Sequence, residues 1–286
     1  MVTEFTELQG EMGKEYALLD GEKPEVAQAI FEQYMPRFAG DILPQQGIGR
    51  ALSLADKLDN LAATFLRGLI PTGSQDPFAL RRQTIGAVNI LTDGKIHWDI
   101  RRGIEAALAL LPGDEETKKT VLSQIEDFFR QRIKAIMLDE GIAYDIIDAV
   151  LAGPVDDIYA LFLKARSMAE SQLKGEAELR QAVTRLANIT KGKAGGKVDP
   201  SLFTEDVEKK LQDAFEAVSA KALPLFASYE YGKALPALKE LTAPINDYLD
   251  NVMVMVDDEA VKNNRISQLL ATLALFNTWG DFSKLV

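Results

Sequence analysis

Histidine and cysteine, which most often supply nucleophiles and metal ligands, are almost absent from this chain. Its 286 residues contain one histidine, His97, and no cysteine. Disulfides, thiolate zinc sites and cysteine nucleophiles are therefore excluded. A two-histidine metal centre cannot be built from His97 alone, and a serine triad would need that same residue. The sequence predicts no catalytic residue and no metal site, and it favours a packing or surface role for His97 beside Trp98.

Basic side chains are the next candidates for chemistry, because they can bind phosphates. The chain carries 43 acidic and 32 basic residues and a formal net charge of −11, so nucleic-acid binding would require a local basic patch. The segment KGKAGGKVDP, residues 191–200, contains Lys191, Lys193 and Lys197, and Arg185 precedes it. Its glycines and proline predict a flexible linker. Such a loop either adapts to phosphates or only solubilises the chain.

Helical periodicity dominates the elements that must position these residues. Apolar side chains recur at steps of three and four over residues 54–65 and again over residues 122–136. Both patterns are typical of amphipathic helices. Asp76 and Pro77 predict a helix start, as N-cap and first helical residue. Strand-like alternation is nearly absent, so the predicted fold class is all-α.

Targeting and membrane signals are weak. No apolar run approaches the ~18 residues that a membrane span needs. The first ten residues lack the basic-then-apolar order of a signal peptide. We expect a cytoplasmic protein that does not span a membrane.

The stretch NVMVMVDDEAVKNNR, Asn251–Arg265, supports two local interpretations. Its VMVMV portion alternates like a strand, whereas a longer window from residue 238 to residue 255 keeps a helical period. The longer window predicts a helix through VMVMV, with Thr242 as its cap and Pro244 in its first turn. Acidic residues 257–259 would then open the next helix after a tight corner.

Three segments carry a family resemblance. PINDYLDNVMVMVDDEAVKNNRISQLL, residues 244–270, resembles the helical anticodon-binding domain of several aminoacyl-tRNA synthetases, the type named for a D-A-L-R motif. EFTELQGEMGKEYALLDGE, residues 4–22, resembles the beta subunit of bacterial heterotetrameric glycyl-tRNA synthetase. ADKLD followed by PTGSQDPFALRR, residues 55–59 and 71–82, is similar to the same subunit. The resemblance spans nearly the whole chain and implies the C-terminal portion of that subunit.

The resemblance implies a division of labour between two subunits. The alpha subunit would carry the active site for glycine and ATP with Mg, and this chain would bind tRNA-Gly without a cofactor of its own. The intact enzyme would be an alpha2-beta2 assembly. Two alternatives stay open: a helical scaffold that binds proteins without RNA contact, and an HD-type phosphohydrolase, against which the single histidine argues.

The same resemblance implies three helical regions, and the composition of residues 191–200 adds a linker. These are a degenerate HD-like helical domain at residues 1–95, a helical connecting region at 96–190, a linker at 191–200 and a DALR-like helical-bundle anticodon-binding domain at 201–286.

The HD-like region raises a question about two aspartates and two arginines. Asp56 and Asp59 lie three residues apart in ADKLD, but the histidine partners of a working HD centre are missing. We therefore expect a structural ion pair in which Arg81 or Arg82 bonds to Asp56 or Asp59 in place of a metal. Contact of these arginines with RNA is the alternative. The helix that carries them is expected to bury Phe78, Ile85 and Val88.

The C-terminal corner contains further charged candidates. We expect ion pairs there among Asp250, Asp257 and Lys262. For Asn264 and Arg265, direct contact with the anticodon is an alternative to a structural role.

Aromatic residues near a helix break are candidates for stacking on anticodon bases. Tyr229 and Tyr231 lie in PLFASYEYGKAL and suit that role. Phe226, in the same stretch, is expected in the core.

Overall fold

Helices form nearly all of the regular structure. The structure, a computed structural model, describes residues 4–73 and 75–286, except for the side chain of Gln172. Within those ranges it contains thirteen α-helices and no strand. They are α1 (Glu11–Leu19), α2 (Pro24–Glu32), α3 (Gly47–Leu66), α4 (Leu80–Asp93), α5 (Ile100–Ala109), α6 (Glu115–Asp139), α7 (Tyr144–Val150), α8 (Ile158–Glu170), α9 (Ala177–Thr190), α10 (Asp206–Ala227), α11 (Leu235–Lys239), α12 (Thr242–Asn251) and α13 (Glu259–Asn277). The all-α prediction is confirmed.

The chain divides into two compact units. The N-terminal unit comprises Met1–Ile136 with Val155–Tyr159, and the C-terminal unit comprises Met137–Pro154 with Ala160–Val286. The boundaries predicted at residues 95, 190 and 200 do not coincide with this division, and the four-region scheme stays a prediction. Across the described ranges, no helix combines the length and apolar character that crossing a membrane requires.

In the N-terminal unit, helix α3 provides the centre of the core. Its apolar stripe, Leu54, Leu58, Leu61 and Phe65, is buried, as the spacing predicts. Helices α2, α4 and α5 each pack against α3. This arrangement holds the ADKLD residues on a rigid helix.

Helix α4 begins later than predicted. Ala79 is its N-cap and Pro77 lies in the turn before it, which corrects the prediction that Asp76 is the N-cap and Pro77 the first helical residue. The Asp76 carboxylate still accepts from the N–H groups of Leu80 and Arg81 at 2.8 and 3.0 Å. However, the helix starts at Leu80, and Phe78 lies in the preceding turn. Phe78 and Ile85 are exposed rather than buried, which corrects the predicted inner face. The buried residues of α4 include Leu80, Thr84, Ala87, Val88 and Leu91, which recur at helical spacing.

In the C-terminal unit, helices α9, α10, α12 and α13 pack together. Helix α9 contacts both α12 and α13, and α10 contacts α12 and α13. In this unit the side chains of Tyr248, Leu269, Phe276 and Trp279 are fully buried. The Trp279 indole N–H donates to Ser167 Oγ at 3.0 Å, which satisfies its polar edge.

The VMVMV stretch is not helical, which corrects the prediction from the longer window. Helix α12 ends at Asn251, and α13 begins at Glu259 with Asp258 as its N-cap. Between them Val252 and Val254 are 7% and 8% exposed, whereas Met253 and Met255 are 73% and 48% exposed. Alternate residues of an extended chain face opposite sides, so the short-range alternation was the correct signal. Thr242, the expected cap, lies inside α12, and Pro244 occupies its first turn.

The segment 191–200 is not a free linker, which corrects a second prediction. It joins α9 to α10 within the C-terminal unit and lies against α13. The Gly196 N–H donates to Ser267 Oγ at 2.9 Å, and the Asp199 N–H donates to Asn264 Oδ1 at 2.7 Å. A Cβ on Gly195 would lie 2.9 Å from Leu270 Cδ1, so the segment packs closely against α13 at this point.

Candidate functional site

His97 has a structural environment. Its Nδ1 lies 2.8 Å from Asp157 Oδ2, and its ring packs 4.9 Å from the ring of Tyr159, measured between centroids. In the part of the chain that the structure describes, no three metal-ligating side chains cluster.

The predicted ion pair in the ADKLD region does not form, which corrects that hypothesis. Asp56 accepts from Gln33 Nε2 at 3.2 Å, and Arg81 Nη2 donates to the Gly73 carbonyl at 2.7 Å. Asp59 and Arg82 are exposed. Over residues 4–73 and 75–286, none of these two aspartates and two arginines takes part in an ion pair. A buried guanidinium needs a carboxylate, but these four groups keep contact with solvent and can do without one.

Lys57 is the residue of this region that the sequence analysis missed. It is only 3% exposed, and its ammonium donates to the Met35 carbonyl at 2.8 Å and to Ser53 Oγ at 2.7 Å. Burial lowers the pKa of Lys57 to about 8, although the nearby Asp56 partly opposes that effect. The signal was its position, since Lys57 lies three residues after Leu54 and one before Leu58, on the buried stripe of α3.

In the C-terminal unit, Arg265 forms a buried ion pair instead of facing a ligand. It is 4% exposed and Glu208 is 0% exposed, and Arg265 Nε donates to Glu208 Oε1 at 3.0 Å. Its remaining N–H groups donate to the Met253 carbonyl at 2.8 Å and to Thr204 Oγ1 at 2.7 Å. These bonds argue against the alternative that Arg265 contacts the anticodon directly, because its guanidinium donates to groups inside the protein.

The alternative that Asn264 contacts the anticodon directly is disfavoured for the same reason. It is buried, and its amide bonds in both directions to the backbone of Asp199, with Nδ2 donating to the Asp199 carbonyl at 3.0 Å. Asn264 therefore fastens the segment 191–200 to α13 rather than contacting a base.

Hydrogen bonds control the ionisation of Glu208. Desolvation alone would raise its pKa, but donation from Arg265 and from the backbone N–H groups of Thr204 and Glu205 holds the pKa of Glu208 below its ordinary value. The bond from the Glu205 N–H is also part of a capping box at the start of α10, in which the Glu205 side chain accepts from the Glu208 N–H in return.

The corner ion pairs form in part and with other partners. Lys262 pairs with Glu259 one turn earlier on α13. Asp250 pairs with Arg185 at 2.5 Å, so Arg185, a candidate for binding phosphate, already has a carboxylate partner. In the described ranges Asp257 has no ion pair.

The two tyrosines differ. Tyr231 is 4% exposed and packs against Phe226 with ring centroids 5.8 Å apart, so it belongs to the core and its predicted base-stacking role is corrected. Phe226 is buried, as expected. Tyr229 is half-buried with a positive φ of 61°, and it stays a candidate for stacking.

Three lysines remain as phosphate-binding candidates. Lys191, Lys193 and Lys197 are exposed, and within the described ranges none of their ammonium groups forms an ion pair or a side-chain hydrogen bond. We call residues 191–197 the lysine segment. Its cationic groups lie on backbone that is anchored to α13 at Gly196.

Comparisons with known proteins agree with this architecture. The sequence profile described as "Glycyl-tRNA synthetase beta subunit" matches residues 1–152, and the profile described as "DALR anticodon binding domain" matches residues 179–280. The second match includes α9, which contacts α12 and α13 in the structure.

Individual relatives match over the whole chain. Proteins named glycine–tRNA ligase beta subunit are 44% identical in Clostridioides difficile and 41% identical in Desulforamulus reducens. Each alignment covers 100% of this chain and 42% of the relative, so the chain spans about two fifths of the length of these proteins. The profile match over more than half of the chain shows that it belongs to the glycyl-tRNA synthetase beta subunit family.

Proposed function

We propose that this chain is the tRNA-binding portion of a glycine–tRNA ligase beta subunit. It supports the ATP-dependent attachment of glycine to tRNA-Gly by recognition on the anticodon side. The observation that carries the proposal is the match of residues 179–280 to an anticodon-binding domain, since this range includes most of the C-terminal helical bundle. The contribution of the chain is to position the tRNA, which lowers the entropic cost of the reaction.

The rest of the enzyme enters the same proposal. An alpha subunit supplies the site for glycine and for ATP with Mg, and two copies of each subunit form the working assembly in the cytoplasm. Support comes from the two relatives described above, which are named as beta subunits of glycine–tRNA ligase.

Within the C-terminal unit, the lysine segment is our candidate for the RNA backbone. Exposed ammonium groups without carboxylate partners bind phosphates and release counterions. Anchoring of Gly196 and Asp199 to α13 restricts the segment before binding, so less conformational entropy is lost on contact. Tyr229, in the same unit, is the remaining candidate for stacking on an unpaired base.

The test is tRNA binding by the 286-residue chain at several salt concentrations. A K191A/K193A/K197A variant should bind tRNA-Gly more weakly and show a shallower salt dependence. The slope of log K against log[salt] should fall by about 2 to 3, since each lost phosphate contact removes roughly 0.7 to 0.9. Filter binding measures both quantities, with a non-cognate tRNA for comparison.

A matched control carries the same change in charge elsewhere. The K23A/K118A/K119A variant removes three lysines of the N-terminal unit and should leave the slope near that of the wild type. An unchanged slope in the lysine-segment variant would reject this contact surface. Absence of tRNA binding by the wild-type chain at low salt would favour the alternative, a helical scaffold for protein partners.

A further inference from the structure

A cavity in the N-terminal unit is a further candidate site, distant in sequence from the lysine segment. The cavity has a volume of about 390 Å³ and is bordered by the end of α3, the turn before α4, the first turn of α4 and the middle of α6. The apolar floor contains Phe65 and Phe128, whose ring centroids lie 5.2 Å apart. Two guanidinium groups, those of Arg81 and Arg132, line the same cavity.

Both arginines bond only to neutral acceptors. Arg81 Nη2 donates to the Gly73 carbonyl at 2.7 Å. Arg132 Nη1 donates to Gln131 Oε1 at 2.8 Å and to the Phe128 carbonyl at 3.3 Å. Over residues 4–73 and 75–286, neither guanidinium forms an ion pair. Each therefore retains N–H donors for a further acceptor, because a guanidinium carries five.

The one carboxylate lining the cavity does not neutralise them. Asp127 is largely exposed and pairs with Arg130, with 3.8 Å between Oδ1 and Nε. One face of the Arg132 guanidinium rests on Phe128, with 3.7 Å between the guanidinium carbon and the ring centroid. That contact fixes the plane of the group and presents its N–H edge in one orientation.

The electrostatics of the cavity disfavour its two charges. Burial lowers the pKa of Arg132, the positive charge of Arg81 lowers it further, and Asp76 only partly opposes them. Two like charges that form no ion pair in the described ranges reduce stability, and a ligand that supplies negative charge would relieve their repulsion.

We propose that Arg81 and Arg132 together bind one phosphate group, carried either by a nucleotide or by the backbone of an RNA. Planar guanidinium forks bind phosphate oxygens through paired N–H donors, and the amides of Gln124 and Gln131 on the rim add neutral donors. The RNA form of this inference rests on the proposed function, whereas the nucleotide form does not. The cavity is apolar at its floor and cationic at its rim, which suits a nucleotide unit better than a bare anion.

The experiment uses the whole chain and three probes. Isothermal titration with adenosine monophosphate and with adenosine tests whether a phosphate is needed, and fluorescence anisotropy with tRNA-Gly tests the RNA source. In an R81Q/R132Q variant we expect a loss of affinity of about tenfold or more for whichever phosphate-bearing probe binds, since charge-assisted hydrogen bonds are removed. Adenosine should bind neither protein.

The matched control is R67Q/R82Q, which removes two exposed arginines of the same unit that do not line the cavity. It should keep wild-type affinity. If the double variant melts at a much lower temperature, the single R81Q variant replaces it, because Arg81 is not stacked on the aromatic floor.

The outcomes separate this inference from the proposed function. Weaker binding of adenosine monophosphate assigns the site to a nucleotide, and weaker binding of tRNA alone assigns it to RNA; both support the site. If R81Q/R132Q lowers the affinity for tRNA-Gly and the K191A/K193A/K197A variant does not, the cavity site is supported and the proposed contact of the lysine segment is rejected. Equal loss in the control, unchanged binding in the double variant, or a wild-type chain that binds neither phosphate-bearing probe overturns the inference.

Discussion

The two units differ in the partners of their buried positive charges. In the C-terminal unit the guanidinium of Arg265 meets the carboxylate of Glu208 inside the fold, and both are almost fully buried. In the N-terminal unit the ammonium of Lys57 is as deeply buried, yet it bonds to a carbonyl and a hydroxyl. The half-buried Arg81 and Arg132 likewise lack carboxylate partners in the described ranges.

This difference suggests how to sort basic residues in a helical RNA-binding protein. A guanidinium that finds its counter-ion within the fold has its donors used, so it contributes to structure. One that lacks a counter-ion but keeps contact with solvent has donors left for a ligand. The family motifs contain both kinds, so a motif position alone does not identify an RNA contact.

The largest expected effect on stability comes from breaking the buried ion pair between Arg265 and Glu208. A Glu208→Gln variant leaves the charge of Arg265 buried without a carboxylate, which should cost about 3–5 kcal/mol of unfolding free energy. Urea denaturation followed by circular dichroism measures it. As control, Asp250→Ala breaks the exposed pair with Arg185 and should cost at most about 1 kcal/mol. Similar costs for the two variants would contradict the contrast between buried and exposed pairs.

A smaller effect, with a distinct pH dependence, is expected for the buried amine. The pKa of Lys57 is about 8 in the folded state against an ordinary value of 10.5, so the unfolded chain holds more protons between these values. The unfolding free energy of the wild type should therefore rise with pH from about 8 to 10.5, by roughly 1–3 kcal/mol, relative to a Lys57→Met variant.

Urea denaturation at pH 7.5, 9 and 10 measures that difference. Lys119→Met, at an exposed position of α6, should show no such change relative to the wild type. Parallel pH profiles for the wild type and Lys57→Met would show that Lys57 is not desolvated in solution.

The smallest effect on stability is expected for Arg81, whose guanidinium donates to a neutral carbonyl. Arg81→Gln removes one of two like charges at the cavity, so the unfolding free energy should change by no more than about 0.5 kcal/mol and in the direction of greater stability. The same denaturation experiment measures it, with Arg82→Gln as the exposed neighbour for comparison. Destabilisation by more than 2 kcal/mol would mean that Arg81 has a structural role comparable to that of Arg265.

Local patterns predicted much of the fold. The apolar stripe of α3 depends on residues within a few helical turns, and it is confirmed. Asp76 was correctly placed near the start of α4, but the N-cap is Ala79. The prediction for the VMVMV stretch was wrong because the window needed to detect a helical period extends past the end of α12 at Asn251. There the Met253 carbonyl accepts from Arg265, a contact that a helix would have replaced with an internal hydrogen bond.

The candidate site was less predictable, because it depends on partners far apart in sequence. Glu208 lies 57 residues from Arg265, and Asp250 lies 65 residues from Arg185, so no local pattern indicates either pair. Exposure of the lysine segment was predictable from its composition. Its attachment to α13 was not, since it depends on the side chains of Ser267 and Asn264.

The capping box of α10 has a consequence for the order in which the C-terminal unit assembles. Glu208 accepts from the N–H groups of Thr204 and Glu205, contacts that close loops of only a few residues. Its bond to Arg265 closes a much longer loop, and the entropy of closure grows with loop length. The short contacts therefore favour early formation of the first turn of α10. One carboxylate thus contributes first to the start of its own helix and then, through Arg265, to the packing of α13 against that helix.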